Sequence, residues 1–290
     1  MTSTDYLKED VVEYDQAVRT ATATWRDLVR DVLSRGQEVR QEGRGHEPRS
    51  RTTLELVGHQ TRWPMARPLV LCPERKIGRR FAAAEPAWIL SGDNRLASIL
   101  PYARHLANFT DDGVRLSGAY GPKFVDQLPY VVGCLSADPQ SRQAVTALWR
   151  ERPGPSRDIA CTLSLQWIVR DQVLCCVATM RSSDVWLGIP YDVVAFSCMS
   201  AAVAIALRSR RPDLVRELGD LVLTAGSQHL YAIDHDAARR CAAADDQPDC
   251  APLDLGEFAS ERELVDHLRA VADHAPTDKR WLAELAESPR

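Results

Sequence analysis

One stretch limits the folds open to this chain. From Tyr191 to Arg208 it is almost entirely apolar or small, with Val193, Val194, Ala195, Phe196, Met199, Ala201, Ala202, Val203, Ala204, Ile205, Ala206 and Leu207. The run approaches the length of a membrane span. Asp192 at its start and the Ser197-Cys198-Met199-Ser200 interruption argue against lipid. A helix apolar on all sides and outside a membrane must be covered on all sides. We therefore expect a central helix buried in one large core, and no membrane association.

The rest of the chain reads as its cover. Residues 4–40 carry Val11, Val12, Tyr14, Val18, Trp25, Leu28, Val29 and Leu33 at helical spacing, which predicts an amphipathic helix. Residues 43–48 form a loop by their Gly and Pro content, and Thr52–Trp63 has strand character. A helix is predicted over Lys76–Leu90, closed by Gly92, and another over Asp126–Leu135. Residues 138–141 read as a turn, Ala144–Trp149 as a strand and 150–157 as a loop. Ile159–Arg170 and Val173–Met180 read as a hairpin turning at Arg170-Asp171-Gln172. A further strand lies within Asp220–Leu230, and one or two amphipathic helices within 257–288. The fold class is α+β. The chain of 290 residues is expected to be one domain, with a helical extension over 1–45 and an Ala-, Asp- and Pro-rich surface insertion over 236–256.

Charge removes some functions. With 36 basic and 40 acidic residues the net charge is −4, which argues against nucleic acid as a partner. The eight cysteines include no Cys-x-x-Cys pair and the histidines are scattered, so no metal site is expected. A long chain without an apolar opening segment suggests reduced thiols and a cytoplasmic location. Cys175, Cys176 and Cys198 fall in apolar segments and read as core. Cys241 and Cys250 flank Asp245-Asp246 and read as surface thiols, with a mutual bond or a metal as alternatives.

Cys161 stands apart because of the residues downstream of it. A cysteine on an apolar strand is usually a small core residue. Here, however, Arg181-Ser182-Ser183-Asp184 places a cation, two hydroxyls and a carboxylate in a row, and Gly188-Ile189-Pro190-Tyr191-Asp192 comes next. The hairpin would set Arg181 beside Cys161. A guanidinium there can grip an anion bidentately and favour the thiolate.

This text resembles the thymidylate synthase family. Cys161 with Gln166, and Arg181-Ser182-Ser183-Asp184 leading to Leu187-Gly188-Ile189-Pro190, match its nucleophile and signature. Gly58-His59-Gln60, Glu85 with Trp88 and Gly92-Asp93, Tyr120-Gly121, Asp126-Gln127-Leu128, Asp138-Pro139 with Ser141-Arg142, and His229-Leu230-Tyr231 match other landmarks in order, over about residues 49–231. The resemblance implies a mixed-sheet core around a long buried helix with flanking helices. It implies Cys161 as nucleophile at C6 of a pyrimidine nucleoside monophosphate. Glu85 would be the general acid/base and Tyr120 would assist loss of the C5 proton. Arg181 and Ser182 would hold the phosphate. Arg142 would reach it from the other subunit of a homodimer, and Arg49 or Arg51 would add a further contact. His229 and Tyr231 would meet the sugar. Asp184, Gly188 and Trp88 would lie against 5,10-methylenetetrahydrofolate. Gln166 reads as a packed amide.

The sequence also departs from the family. Asp192 stands where the synthase has a base-reading asparagine; the same exchange marks the deoxycytidylate and cytidylate hydroxymethylases of the superfamily. The shielding tryptophan falls on about Leu106, with Phe109 nearby. Gln143 replaces a second arginine, Thr162 replaces the histidine after the nucleophile, and the synthase's apolar C-terminal tail has no match. The resulting expectation is a CMP or dCMP 5-hydroxymethylase. The runner-up is a thymidylate synthase or cytidylate methylase with hydride transfer, and a silent nucleotide-binding relative is the third reading.

Overall fold

The structure is a computed structural model that describes residues 19–40, 52–150, 154–246 and 248–287. Arg49, Arg51 and the 43–48 segment lie outside the described residues.

The first helix, α1 (Ala21–Arg35), is capped by the Thr20 side chain, which accepts from the Ala23 N–H. The chain then enters β1 (Gln37–Arg40) and β2 (Thr52–Pro64). Next come α2 (Arg79–Leu90), the short α3 (Leu96–Ile99) and α4 (Gly121–Ala137). Three strands come after them: β3 (Val145–Ala147), β4 (Thr162–Arg170) and β5 (Val173–Asp184). α5 (Ile189–Arg210) leads to β6 (Glu217–Tyr231), then α6 (His235–Ala243), α7 (Glu261–Ala272) and α8 (Arg280–Glu287). Ser260 caps α7 by accepting from the Glu263 N–H, while the Glu263 carboxylate accepts from the Ala259 N–H; this reciprocal pair holds the helix start.

The described strands form one sheet in the order β1-β2-β6-β5-β4-β3. Its pairs are antiparallel except β5 with β6, which are parallel. A parallel pair needs a crossover, and α5 is that crossover. It is the long apolar run of the sequence. Val193, Phe196, Met199, Val203 and Leu207 are all fully buried. α5 is long and apolar enough to cross a membrane, but 89% of its apolar window is buried inside the protein. It is therefore the core helix of an α+β fold. The β4–β5 hairpin turns on Asp171 (φ 50°) and Gln172 (φ 64°), both left-handed, which suits the twist of a two-residue turn. Gly92 (φ 68°) ends α2, where an L side chain would be strained.

Several expectations need correction. Gln37–Arg40 is an edge strand paired with β2, not the end of a helix. The helix before it is no extension: Trp25, Leu28, Val29 and Val32 are buried in the core. Residues 236–256 are not a surface insertion. Ala238, Cys241, Cys250, Leu253 and Leu255 are buried, because the small side chains of α6 form a flat face that packs against α1. Cys241 and Cys250 are accordingly core thiols and not surface ones. The predicted helix over Lys76–Leu90 begins only at Arg79, after Gly78 gives its N–H to the Tyr191 hydroxyl.

Candidate active site

Cys161 sits one residue before β4, not within it, and is half-buried. The hairpin brings Arg181 alongside, as expected. The Arg181 N–H donates to the Cys161 carbonyl at 2.8 Å. Its guanidinium donates to the carbonyls of Ala160 and Ile159, both at 2.9 Å, and lies 3.6 Å from the Cys161 sulfur. Burial pushes the thiol pKa up, and the Arg181 cation opposes that shift. Arg181 is otherwise exposed, so its remaining N–H groups face solvent.

Tyr120 ends the turn before α4. Its hydroxyl accepts from the Thr162 backbone N–H at 3.3 Å and from the Thr162 Oγ1 at 2.9 Å. Burial, then the Asp192 and Cys161 charges, holds the phenol well above its ordinary value. Tyr120 is thus a neutral hydroxyl and not a phenolate. Thr162 is the residue that stands in place of the family histidine, and it is fully buried.

Two carboxyls meet across α2 and α5. Asp192 lies in the first turn of α5, where a helix N-terminus would favour its charge. Burial outweighs that, and with Asp184 nearby the pKa rises to about 7. Glu85 on α2 is raised to about 8 by burial and by the Asp192 charge. Gly188 makes room for this arrangement. A Cβ there would lie 3.1 Å from the Asp184 carbonyl oxygen and 3.2 Å from the Asp192 Oδ2.

Asp184 ends β5 and pairs in register with His229 on β6. Its Oδ1 accepts from the N–H groups of Trp186 (2.8 Å) and Leu187 (2.9 Å), yet burial still raises its pKa. His229 and Tyr231 meet edge to face, with ring centroids 5.3 Å apart. Ser182 faces Ser227 across the parallel pair. Trp88, one turn beyond Glu85, has a buried indole N–H without a partner, and the buried His229 Nδ1 is also unpartnered. A buried carboxyl and unused polar atoms of this kind suit a heterocycle with both donors and acceptors, such as a folate pterin. Asp184, Gly188 and Trp88 therefore fit the group the resemblance implies.

The fold gathers Cys161, Arg181, Tyr120, Asp192, Glu85, Asp184, Gly188, His229 and Tyr231 around the ends of β4, β5 and β6 and the start of α5. Arg142 stands elsewhere. It is exposed before the edge strand β3, and its carbonyl accepts from the Gln166 amide at 2.8 Å. Leu106 is half-buried in a 3-10 turn, and Phe109 meets the His105 ring edge-on.

Sequence reasoning missed three supporting residues. Arg75 donates to the Trp186 carbonyl at 2.7 Å and lies 5.6 Å from the Trp186 and Tyr191 ring centres. Trp25, on α1, donates its indole N–H to the Val185 carbonyl at 2.8 Å and packs on Trp186. Gln228 is buried and holds the Ser183 carbonyl at 3.0 Å. Only Gln228, beside His229, carried a positional hint. The other contacts join segments far apart in the chain.

The family model for thymidylate synthase matches residues 23–267. That span covers most of the chain and every described residue of the constellation. The chain belongs to the thymidylate synthase family, the folate-dependent transferases of one-carbon units to pyrimidine C5.

Proposed function

We propose that this chain is a cytidylate 5-hydroxymethylase acting on CMP or dCMP. The observation that carries the reading is Asp192, a half-buried carboxyl in the cleft that keeps its proton up to about pH 7 at the position of the family's base-reading amide. A neutral carboxyl offers one donor and one acceptor. Toward cytosine it donates to N3 and accepts from the 4-amino group. As the Cys161 thiolate adds to C6, negative charge collects at N3, where the Asp192 proton lies ready to neutralise it. Glu85, neutral or ionised near pH 8, orders water and moves protons at the exocyclic group. Tyr120, steadied by Thr162, assists proton loss at C5. Arg181 and Ser182 hold the phosphate, with Arg49 a further candidate, and Arg142 completes the clamp from the second subunit of the family dimer. His229 and Tyr231 contact the sugar. Asp184, Gly188 and Trp88 hold 5,10-methylenetetrahydrofolate, which when bound supplies the one-carbon unit. Leu106 at the position of the shielding tryptophan supports capture of the exocyclic methylene by water, giving hydroxymethyl.

A second reading has its own support. A neutral carboxyl can also donate to O4 and accept from N3–H of uracil, so a synthase acting on dUMP, or a methylase, fits the same proton. Two assays decide. CMP, dCMP and dUMP carrying tritium at C5 are incubated with methylenetetrahydrofolate. Release from a cytidylate is expected, and release from dUMP alone overturns the cytosine assignment. Dihydrofolate, followed by its absorbance, should stay absent; its appearance in step with product overturns the hydroxymethyl assignment.

A further inference from the structure

Two cysteines distant in the sequence meet away from the site just described. Cys72 lies on the segment between β2 and α2, and Cys241 on α6. Their sulfurs are 3.0 Å apart across a separation of 169 residues, and both thiols are free. Closing to the ~2.05 Å of a disulfide requires each sulfur to move only about 0.5 Å. Cys72 also gives its thiol hydrogen to Glu74 Oε2 at 3.3 Å.

Cys72, Glu74 and Cys241 are also ligand types for a metal, with their atoms within 4.8 Å of one another. The 3.0 Å separation lies between the ~2.05 Å of a disulfide and the about 3.8 Å of two thiolates on one tetrahedral zinc. Ligand number favours the disulfide: a structural zinc closes its shell with four ligands, and three ligand-bearing side chains gather here among the described residues. Cys72, itself buried, lines a cavity of about 530 Å³ together with Lys76, Arg79, Pro248 and Leu285, so a small oxidant can come up to this residue. Its thiol is held down to about 7, chiefly by the hydrogen bond with Cys241, which supplies thiolate at neutral pH.

We propose that Cys72 and Cys241 form an oxidisable dithiol that closes to a disulfide, pinning α6 to the segment entering α2. A peroxide is the oxidant. The Cys72 thiolate attacks one peroxide oxygen, the O–O bond breaks, and a sulfenic acid and water result. The Cys241 sulfur then displaces the hydroxyl from that sulfenic acid, losing its proton, and a second water leaves. The sulfurs lose two electrons and the peroxide gains them. The link would act on both flanks of the site. Arg75, which braces Trp186 and Tyr191, lies three residues after Cys72, and α6 comes directly after the β6 end that carries His229 and Tyr231. The proposal does not rest on the identity of the substrate.

The test uses the full chain, treated with one equivalent of hydrogen peroxide, alkylated under denaturing conditions and digested without reduction. Mass spectrometry should find a cross-linked peptide joining residues 72 and 241. The oxidised protein should melt roughly 5 °C or more higher, a gain reversed by dithiothreitol and absent in Cys241→Ser. Recovery of both cysteines alkylated, pairing of either with a different cysteine, or one zinc per purified chain that protects both thiols would each overturn the proposal. The peptide map needs no variant, so it decides even if Cys241→Ser fails to fold.

Discussion

Replacing Asp192 with asparagine removes a carboxyl that the fold holds at a cost, and the cost has a pH signature. In the unfolded chain this group loses its proton near its ordinary value of 3.8; in the folded protein it does so only at about 7. Between those values the unfolded state binds fewer protons than the folded state, so stability falls as pH rises. Below about pH 4 both states are protonated and the cost is absent. Above about pH 7 it is complete. A shift of about three units corresponds to about 4 kcal/mol. Asp192 is partly exposed in its cleft, which lowers the expected effect to about 2 kcal/mol. The asparagine variant, with no charge there at any pH, escapes the penalty, and Glu85 is freed of a neighbouring charge. Urea unfolding of both proteins at about pH 5 and about pH 8.5 should show a gap in favour of Asp192→Asn that widens by about 1 kcal/mol on the alkaline side, since part of the penalty is already present at pH 5. The same variant should gain tritium release from dUMP and lose it from cytidylate. A stability gap that is equal at the two pH values, or that reverses, would refute the reasoning.

Three other outcomes are expected. Arg181→Gln removes the cation that opposes the upward pull of burial on Cys161, so the pH profile for alkylation of Cys161 by iodoacetamide should move to higher pH; an unmoved profile counts against the pairing. Thr162→Val deletes the 2.9 Å side-chain bond to Tyr120 and leaves the backbone one, a loss of about 1 kcal/mol that should appear as a several-fold fall in kcat with KM little changed, and Thr162→Ser should restore it. Trp25→Phe leaves the buried Val185 carbonyl without its 2.8 Å donor and should cost about 1–3 kcal/mol in chemical denaturation.

How far the chain can be read from its sequence depends on the range of each signal. The core helix was legible because every face of residues 193–207 is apolar, and the β4–β5 hairpin because alternating runs flank a charged pair. Both signals are local. β1 was not legible, since Gln37-Glu38-Val39-Arg40 is an edge strand with one apolar residue and depends on β2 for its hydrogen bonds. α6 was misread because its buried face consists of alanines and a cysteine, which in sequence look like surface filler. In the site, the motif residues were contiguous text. The contact of Thr162 with Tyr120, 42 residues away, was not, and neither was that of Trp25 with Val185, 160 residues away. The proton held on Asp192 was invisible for another reason: it comes from burial, which no short pattern encodes.

The single parallel pairing among the described strands has a geometric consequence. In an antiparallel neighbour pair, one strand's carboxyl end meets the other's amino end, and successive edges offer opposite polarity. Where β5 and β6 run together, two carboxyl ends finish on one rim, at Asp184 and at Tyr231, and α5 begins from that same rim. The chain must leave in different directions from there, which opens a crevice between diverging backbones. The edge strands β1 and β3 lie farthest from that crevice in the sheet order. Its position is a property of connectivity, fixed by the crossover before any side chain is chosen.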